Sequence, residues 1–369
     1  MTTHIRPTPG TPSEPFAGPS CEASAGAAPT VSARPARHRH RRPARVAAAL
    51  ATAAVLALTA AACGSSDDGS GAGSNPAPAG GTGGSGGPKN AAADDAIPTQ
   101  DVVSQIAADP ALTAELPAAV RERGTLTIGL TPAPGTTGLP HAGTAPDGSS
   151  VGLDVDLRAA VAKVLGVRWK SEQGTFATII PGVQNGKYDV GQANFGVTAA
   201  REKVVDFATY LNDGQSFLGS KDLKLDKVTS LDDLCGLTVA TSPGSTFQQI
   251  LTDGAGKCAD SGKKPYKVLY FTDQAPIFLG LANGKVDVSF GPTLGLKYDA
   301  AHVAGTKYLG QISSTPVGFV TGKGSPVAKA LSDAVNKLIA SGDYAKIFAK
   351  WGVPDTGIPH SQVNPPATF

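Results

Sequence analysis

Two hydrophobic periods alternate along the chain from about residue 97 onward. TLTIGL (Thr125–Leu130) is a short run of β-branched and apolar residues, the pattern of a strand. VGLDVDLRAAVAKVL (Val151–Leu165) repeats its apolar positions at helical spacing. Asp154 and Asp156 lie near its start, where the helix dipole favours anions. VRWKSEQG then predicts a strand, FATIIPGVQNG a helix and turn, and YDVGQAN a strand. A second series follows: LTVATS (Leu237–Ser242) as a strand, a helix opening at Ser245-Thr246, KVLYF (Lys267–Phe271) as a strand, a helix over Ala275–Asn283 and KVDVSF (Lys285–Phe290) as a strand. A helix over Thr293–Ala301 and strands at TKYLG and GFVTG come next. Two helices, VAKALSDAVNKLIASG and DYAKIFAKWG, close the pattern, with Gly352 and Pro354 as stop signals. Ahead of it all, Asp101–Arg123 reads as helical with breaks at Pro110 and Pro117. Strands alternating with helices imply an α/β fold with a parallel-type sheet. Two such units, with the last helices returning to the first, leave a cleft between lobes, where ligands bind.

The front of the chain shows neither period. It is rich in arginine from Arg6 to Arg45, and the basic cluster Arg34–Arg45 runs into Val46–Ala62, an uncharged stretch of mostly Ala, Val and Leu. These are the n-region and h-region of a signal peptide, the apolar run being short for a membrane span. It ends LTAAAC at Cys63, followed by GSSDDGSG. Small residues before a cysteine and a Gly/Ser tether look like a bacterial lipobox, whose cysteine takes a diacylglyceryl group and becomes the new N-terminus. Ala60 stands where a leucine is usual, and an uncleaved anchor or a signal peptide without lipid is the alternative. Gly64 to about Pro88 is a flexible tether with nothing to bury.

Composition excludes more than it selects. Hydrophobic residues make up 41% of the 369, and the net charge of +2 turns negative once the arginine-rich front is set aside. No basic face for a nucleic acid is left. Cys21, Cys63, Cys235 and Cys258 show no CxxC or His-rich spacing and therefore no metal pattern. Cys235 and Cys258 read as a disulfide made in an oxidising compartment, or else as two buried thiols. There is no GxSxG, HExxH or P-loop, and His141, His302 and His360 have no obvious acid or nucleophile partner in sequence. Asp154 and Asp156, two apart on a helix, do not face each other and are dipole partners rather than a catalytic pair.

Lys187–Tyr210, KYDVGQANFGVTAAREKVVDFATY, joins a buried-looking strand, a short polar turn and a helix start, with Arg201 three residues after Thr198. Amides freed at a helix start, with a guanidinium beside them, receive a planar anion such as a carboxylate. Such a site holds an acid rather than transforming one. This run, with GTLTIGL, VGLDVDL, IIPGVQNGKYD, DLCGLTVATSPGST, GLANGKVDV and SGDYAKIFAKWG, resembles family 3 of the extracellular solute-binding proteins, the receptors of polar amino acid ABC importers. The resemblance covers about Gly124–Gly352, and the cysteine of DLCG is similar to that of high-GC Gram-positive members. It implies a type II periplasmic-binding-protein fold, two α/β lobes joined by hinge strands near Tyr210–Gln215 and Gln311–Pro316, with the ligand cleft between them. Lobe one then takes residues 124–212 and 315–352, and lobe two takes 213–314. Ahead of them come a signal peptide at 1–62, the lipidated tether at 63–95 and a leading helical segment at 96–123, and a tail follows at 353–369.

The resemblance also implies roles. Arg201 grips the ligand's carboxylate as a two-pronged fork, the Gly196 amide joins it, and the Asn194 carbonyl accepts from the ligand's amino group. On the second lobe Ser245 and Thr246 hold the other face of the carboxylate, or cap a helix, or both. Phe176 is an aromatic wall against the ligand or a core residue. Pro292 stands five residues after Asp287, where members that bind α-amino acids usually carry a second aspartate for the ammonium. Pro134 is near the usual position of an aromatic, and Thr131 makes no demand for a cationic side chain. Either another acid supplies the counter-charge, with Asp213, Asp273 and Asp299 as candidates, or the ligand has no α-ammonium.

The function expected is that of a monomeric extracytoplasmic lipoprotein on the outer face of the cell membrane. It closes on a small carboxylate-bearing solute, foremost an amino acid, and delivers it to a membrane permease and its ATPase. No cofactor, metal or nucleic acid partner is expected, and no catalysis. A ligand-binding sensor, a receptor for a carboxylate without an amino group and a dehydratase-like enzyme on the same fold are the alternatives.

Overall fold

The computed structural model describes residues 97–368. The leader, Cys63 and the tether lie outside these residues. Helices α1 (Pro110–Glu115) and α2 (Ala118–Arg123) lead into strand β1 (Thr125–Leu130). A small hairpin, β2 (Gly143–Thr144) with β3 (Ser150–Val151), precedes α3 (Leu153–Leu165), β4 (Arg168–Gln173), α4 (Phe176–Gln184) and β5 (Val190–Gly196). A single helical turn, α5 (Ala199–Glu202), opens the long strand β6 (Val205–Ser220). The second series is β7 (Thr238–Thr241), α6 (Thr246–Asp253), α7 (Lys257–Asp260), β8 (Lys267–Tyr270), α8 (Gln274–Ala282), β9 (Val288–Pro292) and α9 (Thr293–His302). The long strand β10 (Thr306–Gly322) returns the chain to the first unit, which α10 (Val327–Ser341) and α11 (Asp343–Lys350) complete.

The strands form one ordered array, β4-β1-β5-β10-β6-β9-β7-β8. β1 runs parallel to β4 and β5, and β7 parallel to β8 and β9. Between these groups β6 and β10 pair antiparallel along their whole length, from Val205 opposite Gly322 to Ser220 opposite Thr306. Each lobe is thus a parallel group extended by half of a shared ribbon, the type II periplasmic-binding-protein fold. Asp213 lies opposite Thr315 and Gln215 opposite Ser313, with register shifts between Gln311 and Ser313 and between Val317 and Gly318. Shifts of this kind bend and twist a ribbon, and here they fall where it passes from one lobe to the other.

Both faces of each lobe are packed. In lobe one Leu126, Leu157, Val161, Leu331 and Phe348 bury one face under α3, α10 and α11, while Ile179, Tyr188, Phe195 and Phe207 bury the other under α4. In lobe two Phe217, Leu234, Val239 and Leu251 form one core, and Leu218, Ala240, Ile277 and Leu296 the other. Cys235 and Cys258 are joined as a disulfide that ties the start of β7 to α7, which excludes the two-thiol alternative.

Four expectations are corrected. Residues 101–109 are not helical. The Asp101 carboxylate accepts from the amides of Val103 and Ser104, and Asp109 caps α1 with Pro110 at its first position, so side-chain turns outcompete the helix there. TKYLG and GFVTG are the two ends of one strand, β10. β9 starts at Val288 rather than Lys285, Asp287 instead turning its carboxylate onto the Thr238 amide at 2.7 Å. The stretch after Gly352 is more than a tail: Ile358 and Ser361 are buried, Val363 bridges to Ala208, and Asn364 bonds both Asp206 and the Phe207 amide.

Candidate ligand-binding cleft

Arg201 spans the cleft. The Thr198 hydroxyl accepts from the Arg201 amide at 3.2 Å and caps α5, which fixes where the arginine leaves the backbone. Its Nη1 donates to the Gly196 carbonyl at 2.8 Å, at the end of β5 in lobe one. Its Nη2 donates to the Gly244 carbonyl at 3.0 Å, in the loop before α6 in lobe two. Phe176 and Phe195, 4.8 Å apart, flank the guanidinium at 5.6 and 5.7 Å. Phe176, half-buried, is therefore both a core residue and a wall beside the cation. Burial draws the guanidinium down to about 10, so it stays charged at neutral pH. Among the described residues no carboxylate forms an ion pair with it.

Opposite it, Ser245 is the N-cap of α6. Its hydroxyl accepts from the Gln248 amide at 3.1 Å and donates to the Ser242 carbonyl at 2.6 Å, so capping uses it up. Thr246, the first residue of α6, is buried. A Cβ added to Gly196 would lie 2.8 Å from the Thr315 methyl and 3.6 Å from that of Thr246, so these three residues meet across the cleft. Thr315 already fills the space that a side chain at position 196 would need.

Asn194 adopts the left-handed conformation, φ 55°, that asparagine tolerates better than most residues. Its Nδ2 donates to Asp213 at 2.9 Å, while its buried Oδ1 has no partner among the described residues. Asp213, from the ribbon, also accepts from His141 Nε2 at 2.9 Å and from the amides of Gly214 and Leu294 at 2.7 and 3.2 Å. One carboxylate thereby joins the loop after β1, the end of β5 and the start of α9 in lobe two. On the other side of His141, Nδ1 is 3.6 Å from Asp154, close enough for ion pairing but not for a hydrogen bond. Burial opposes the imidazolium, yet the two carboxylates outweigh it and raise His141 to about 10. This corrects the reading of His141 as a histidine without an acid partner, and of Asp154 as only a dipole partner. Asp156 likewise accepts from Trp351 Nε1 at 2.7 Å and pairs with Lys350 at 2.8 Å.

Pro292 ends β9 opposite Gln215 of the ribbon and caps α9. Of the three acids considered for counter-charge, Asp273 is exposed and bonded to Thr272, Asp213 is saturated by its four donors, and Asp299 is buried on α9.

Residues 136–354 match the model of the bacterial extracellular solute-binding proteins, family 3. The chain belongs to this family. An arginine-binding protein of Corynebacterium glutamicum is 28% identical over 271 residues, covering 70% of this chain and 85% of the relative. The glutamine-binding protein GlnH of Bacillus subtilis is 30% identical over 210 residues, 55% of this chain and 73% of its own. Among solved structures, an ancestral arginine-binding protein bound to arginine superposes with a TM-score of 0.55 at 34% identity, over 62% of this chain and 98% of that one. An ancestral amino acid-binding protein described as a precursor of cyclohexadienyl dehydratase gives 0.56 at 28% identity, over 63% and 97%.

As a family 3 protein the molecule is a solute-binding component, and the family and these relatives are binding proteins rather than enzymes. Sequence reasoning did not place His141 or Thr315 in the cleft. His141 sits in a loop with no periodic pattern, 72 residues from Asp213. Thr315 bonds the Val197 carbonyl and, at 2.6 Å, the Thr368 hydroxyl, so the end of the chain reaches the cleft rim. The pairing of β10 with β5, which sets Val317 opposite Gly196, brings Thr315 beside Gly196.

Proposed function

We propose that this solute-binding protein closes on an amino acid, with Arg201 as the group that holds the α-carboxylate. The observation that carries the reading is the Arg201 guanidinium itself, charged, partly buried, reaching both lobes and lacking a carboxylate partner among the described residues. A cation in such a place is costly until an anion meets it, and a carboxylate matches its planar fork. The bond to Gly244 is weaker than a charge-paired one, so an incoming carboxylate can replace it while the α6 amides at Ser245 and Thr246 meet its other face. The relatives named for arginine and glutamine favour amino acids as the solute class.

Closure rotates the lobes about the ribbon near 210–215 and 311–316, stabilised by as much as the ligand prefers the closed state. The closed protein then delivers its solute to a membrane permease with its ATPase, from a lipid anchor at Cys63 on the outer face of the membrane. The molecule acts as a receptor and not a catalyst: His141, held between Asp213 and Asp154 and raised to about 10, stays protonated and cannot take a proton at neutral pH.

Calorimetry with L-arginine and L-glutamine tests this. Arg201→Ala is expected to weaken binding about a hundredfold, the loss of a charge-assisted fork. Unchanged affinity would remove Arg201 from the site.

A further inference from the structure

Three extra residues interrupt the pairing of β6 with β10. Leu309 stands between Tyr308, opposite Leu218, and Gly310, opposite Phe217. Ile312 stands between Gln311, opposite Ser216, and Ser313, opposite Gln215. On the other strand Tyr210 stands between Thr209, opposite Gly318, and Leu211, opposite Val317. Each extra residue bends the ribbon and leaves a local gap in its ladder, but the three are held differently. Leu309 is buried in the core of lobe two, and its carbonyl accepts from the Val228 amide at 2.6 Å.

The bulge at Tyr210 is held from outside the ribbon. The Tyr210 carbonyl accepts from the Tyr344 hydroxyl of α11 at 2.7 Å, and that hydroxyl accepts from the Ile358 amide at 2.9 Å. Beside it the Thr209 carbonyl accepts from the Ser361 hydroxyl at 2.6 Å, and the Thr209 amide donates to the Gln362 carbonyl at 3.0 Å. Both the amide and the carbonyl of Ser361 are taken by Asn336 of α10, at 2.7 and 3.1 Å. Asn364, left-handed at φ 49°, lies beside Phe207. Beyond Pro365 and Pro366 the chain turns back toward the cleft. Ala367 packs on the core under α4, and the Thr368 hydroxyl lies 2.6 Å from that of Thr315.

The bulge at Ile312 is fastened differently. Ile312 rests half-buried on the core of lobe two, while Gln311 and Ser314 on either side are exposed. The side-chain bonds around it stay inside the ribbon: Gln311 Nε2 to the Ser313 carbonyl, Ser313 to Gln215 and Ser314 to the Asp213 carbonyl. We propose that residues 358–368 form a strap that seals the bulge at Tyr210 and pins Thr315 to lobe one, so that the lobes turn about the bulge at Ile312. A stretch whose backbone groups are tied to α10 and α11 moves with lobe one. Flexing is left to the stretch tied only to its own partner strand. The proposal rests on the closure reading above and narrows its hinge to Gln311–Ser314, with Gly214–Ser216 facing them.

Amide hydrogen exchange, followed by NMR on the 15N-labelled full-length chain without ligand, tests the strap. Ile312, Ser313 and Ser314 are expected to exchange at least about tenfold faster than Tyr210, Leu211 and Gly318. Replacing Ser361→Ala together with Thr368→Val removes the hydroxyls that hold Thr209 and Thr315. That chain is expected to exchange Tyr210, Leu211 and Gly318 about tenfold faster, with Leu126 and Ile128 of β1 unchanged. Thr368→Val alone, at an exposed residue, is expected to speed Gly318 about threefold, and Thr368→Ser to keep the wild-type rate. Equal rates at the two bulges in wild type, unchanged rates in the variants, or an equal acceleration of β1 overturns the strap. Adding L-arginine or L-glutamine separates it from the closure reading. Protection gained at Ile312–Ser314 supports both, and protection gained at Tyr210 and Gly318 instead keeps closure and overturns the strap. No change along the ribbon counts against closure alone, and the strap is still decided by wild type against variant.

Discussion

Two buried ionisable side chains pull stability in different pH windows. His141 is raised from 6.5 to about 10, so the stability it draws from Asp213 and Asp154 is complete below pH 6.5 and lost as pH climbs toward 10. Asp299 is an acid raised from 3.8 to about 8, so it is neutral at no cost below pH 3.8 and destabilises increasingly up to pH 8. Urea unfolding across this range separates them. Asp299→Asn is expected to match wild type near pH 4 and to exceed it by a few kcal/mol at pH 8 and above. His141→Phe is expected to lose stability in acid, where the imidazolium is paired, and to show a flatter profile between pH 7 and 10. A flat wild-type profile would remove both assignments. Gly196 shows a different constraint: it is small because the Thr315 methyl occupies the place of its side chain.

Among the elements, the ribbon of β6 and β10 carries the largest share of the architecture. It supplies Asp213 and Thr315, opposite each other, from segments shared by both lobes. Lobe two is stitched separately by Cys235–Cys258, which closes a loop spanning 23 residues. Loop closure of that length contributes about 3 kcal/mol. Reduction is expected to lower the melting temperature by about 5–10 °C while leaving Arg201-dependent binding in place. A chain with both cysteines replaced by serine should melt at that lower temperature with or without reductant. An unchanged melting temperature on reduction would deny the bridge its stabilising role. The last residues act as a further element: Ser361 bonds Ser332 and the Thr209 carbonyl, and Asn364 closes on Asp206.

At the scale of the whole molecule, the proposed role beside a permease requires that the receptor be kept near the membrane. The proposed anchor is Cys63, which a Gly/Ser-rich sequence follows. Cells expressing the wild-type chain and given radioactive fatty acid are expected to label it, and Cys63→Ala to abolish the label. Label retained by the variant would place the attachment elsewhere. Two acylated signals hold better than one short chain, so a diacylglyceryl group is the chemistry suited to lasting attachment.

Periodicity along the chain determined the alternation of strands and helices, because each element announces its own buried face within a few residues. Arg201 was legible for a similar reason: its cap, Thr198, and its carbonyl partner, Gly196, lie within five residues of it. The pairing of Cys235 with Cys258 was readable as a choice between two states, and the fold decided between them. The tertiary structure alone decided what pairs with what across the lobes. Gly244 meets Arg201 from 43 residues away, Asp213 meets Leu294 from 81, and Ser361 meets Thr209 from 152. It also set the three acids apart, giving Asp213 four donors, exposing Asp273 and burying Asp299 with no hydrogen-bond partner for its carboxyl oxygens among the described residues. Composition and spacing record which side chains a chain owns. Whether a carboxylate is solvated, satisfied or stranded depends on which distant segments pack against it, and no local pattern encodes that.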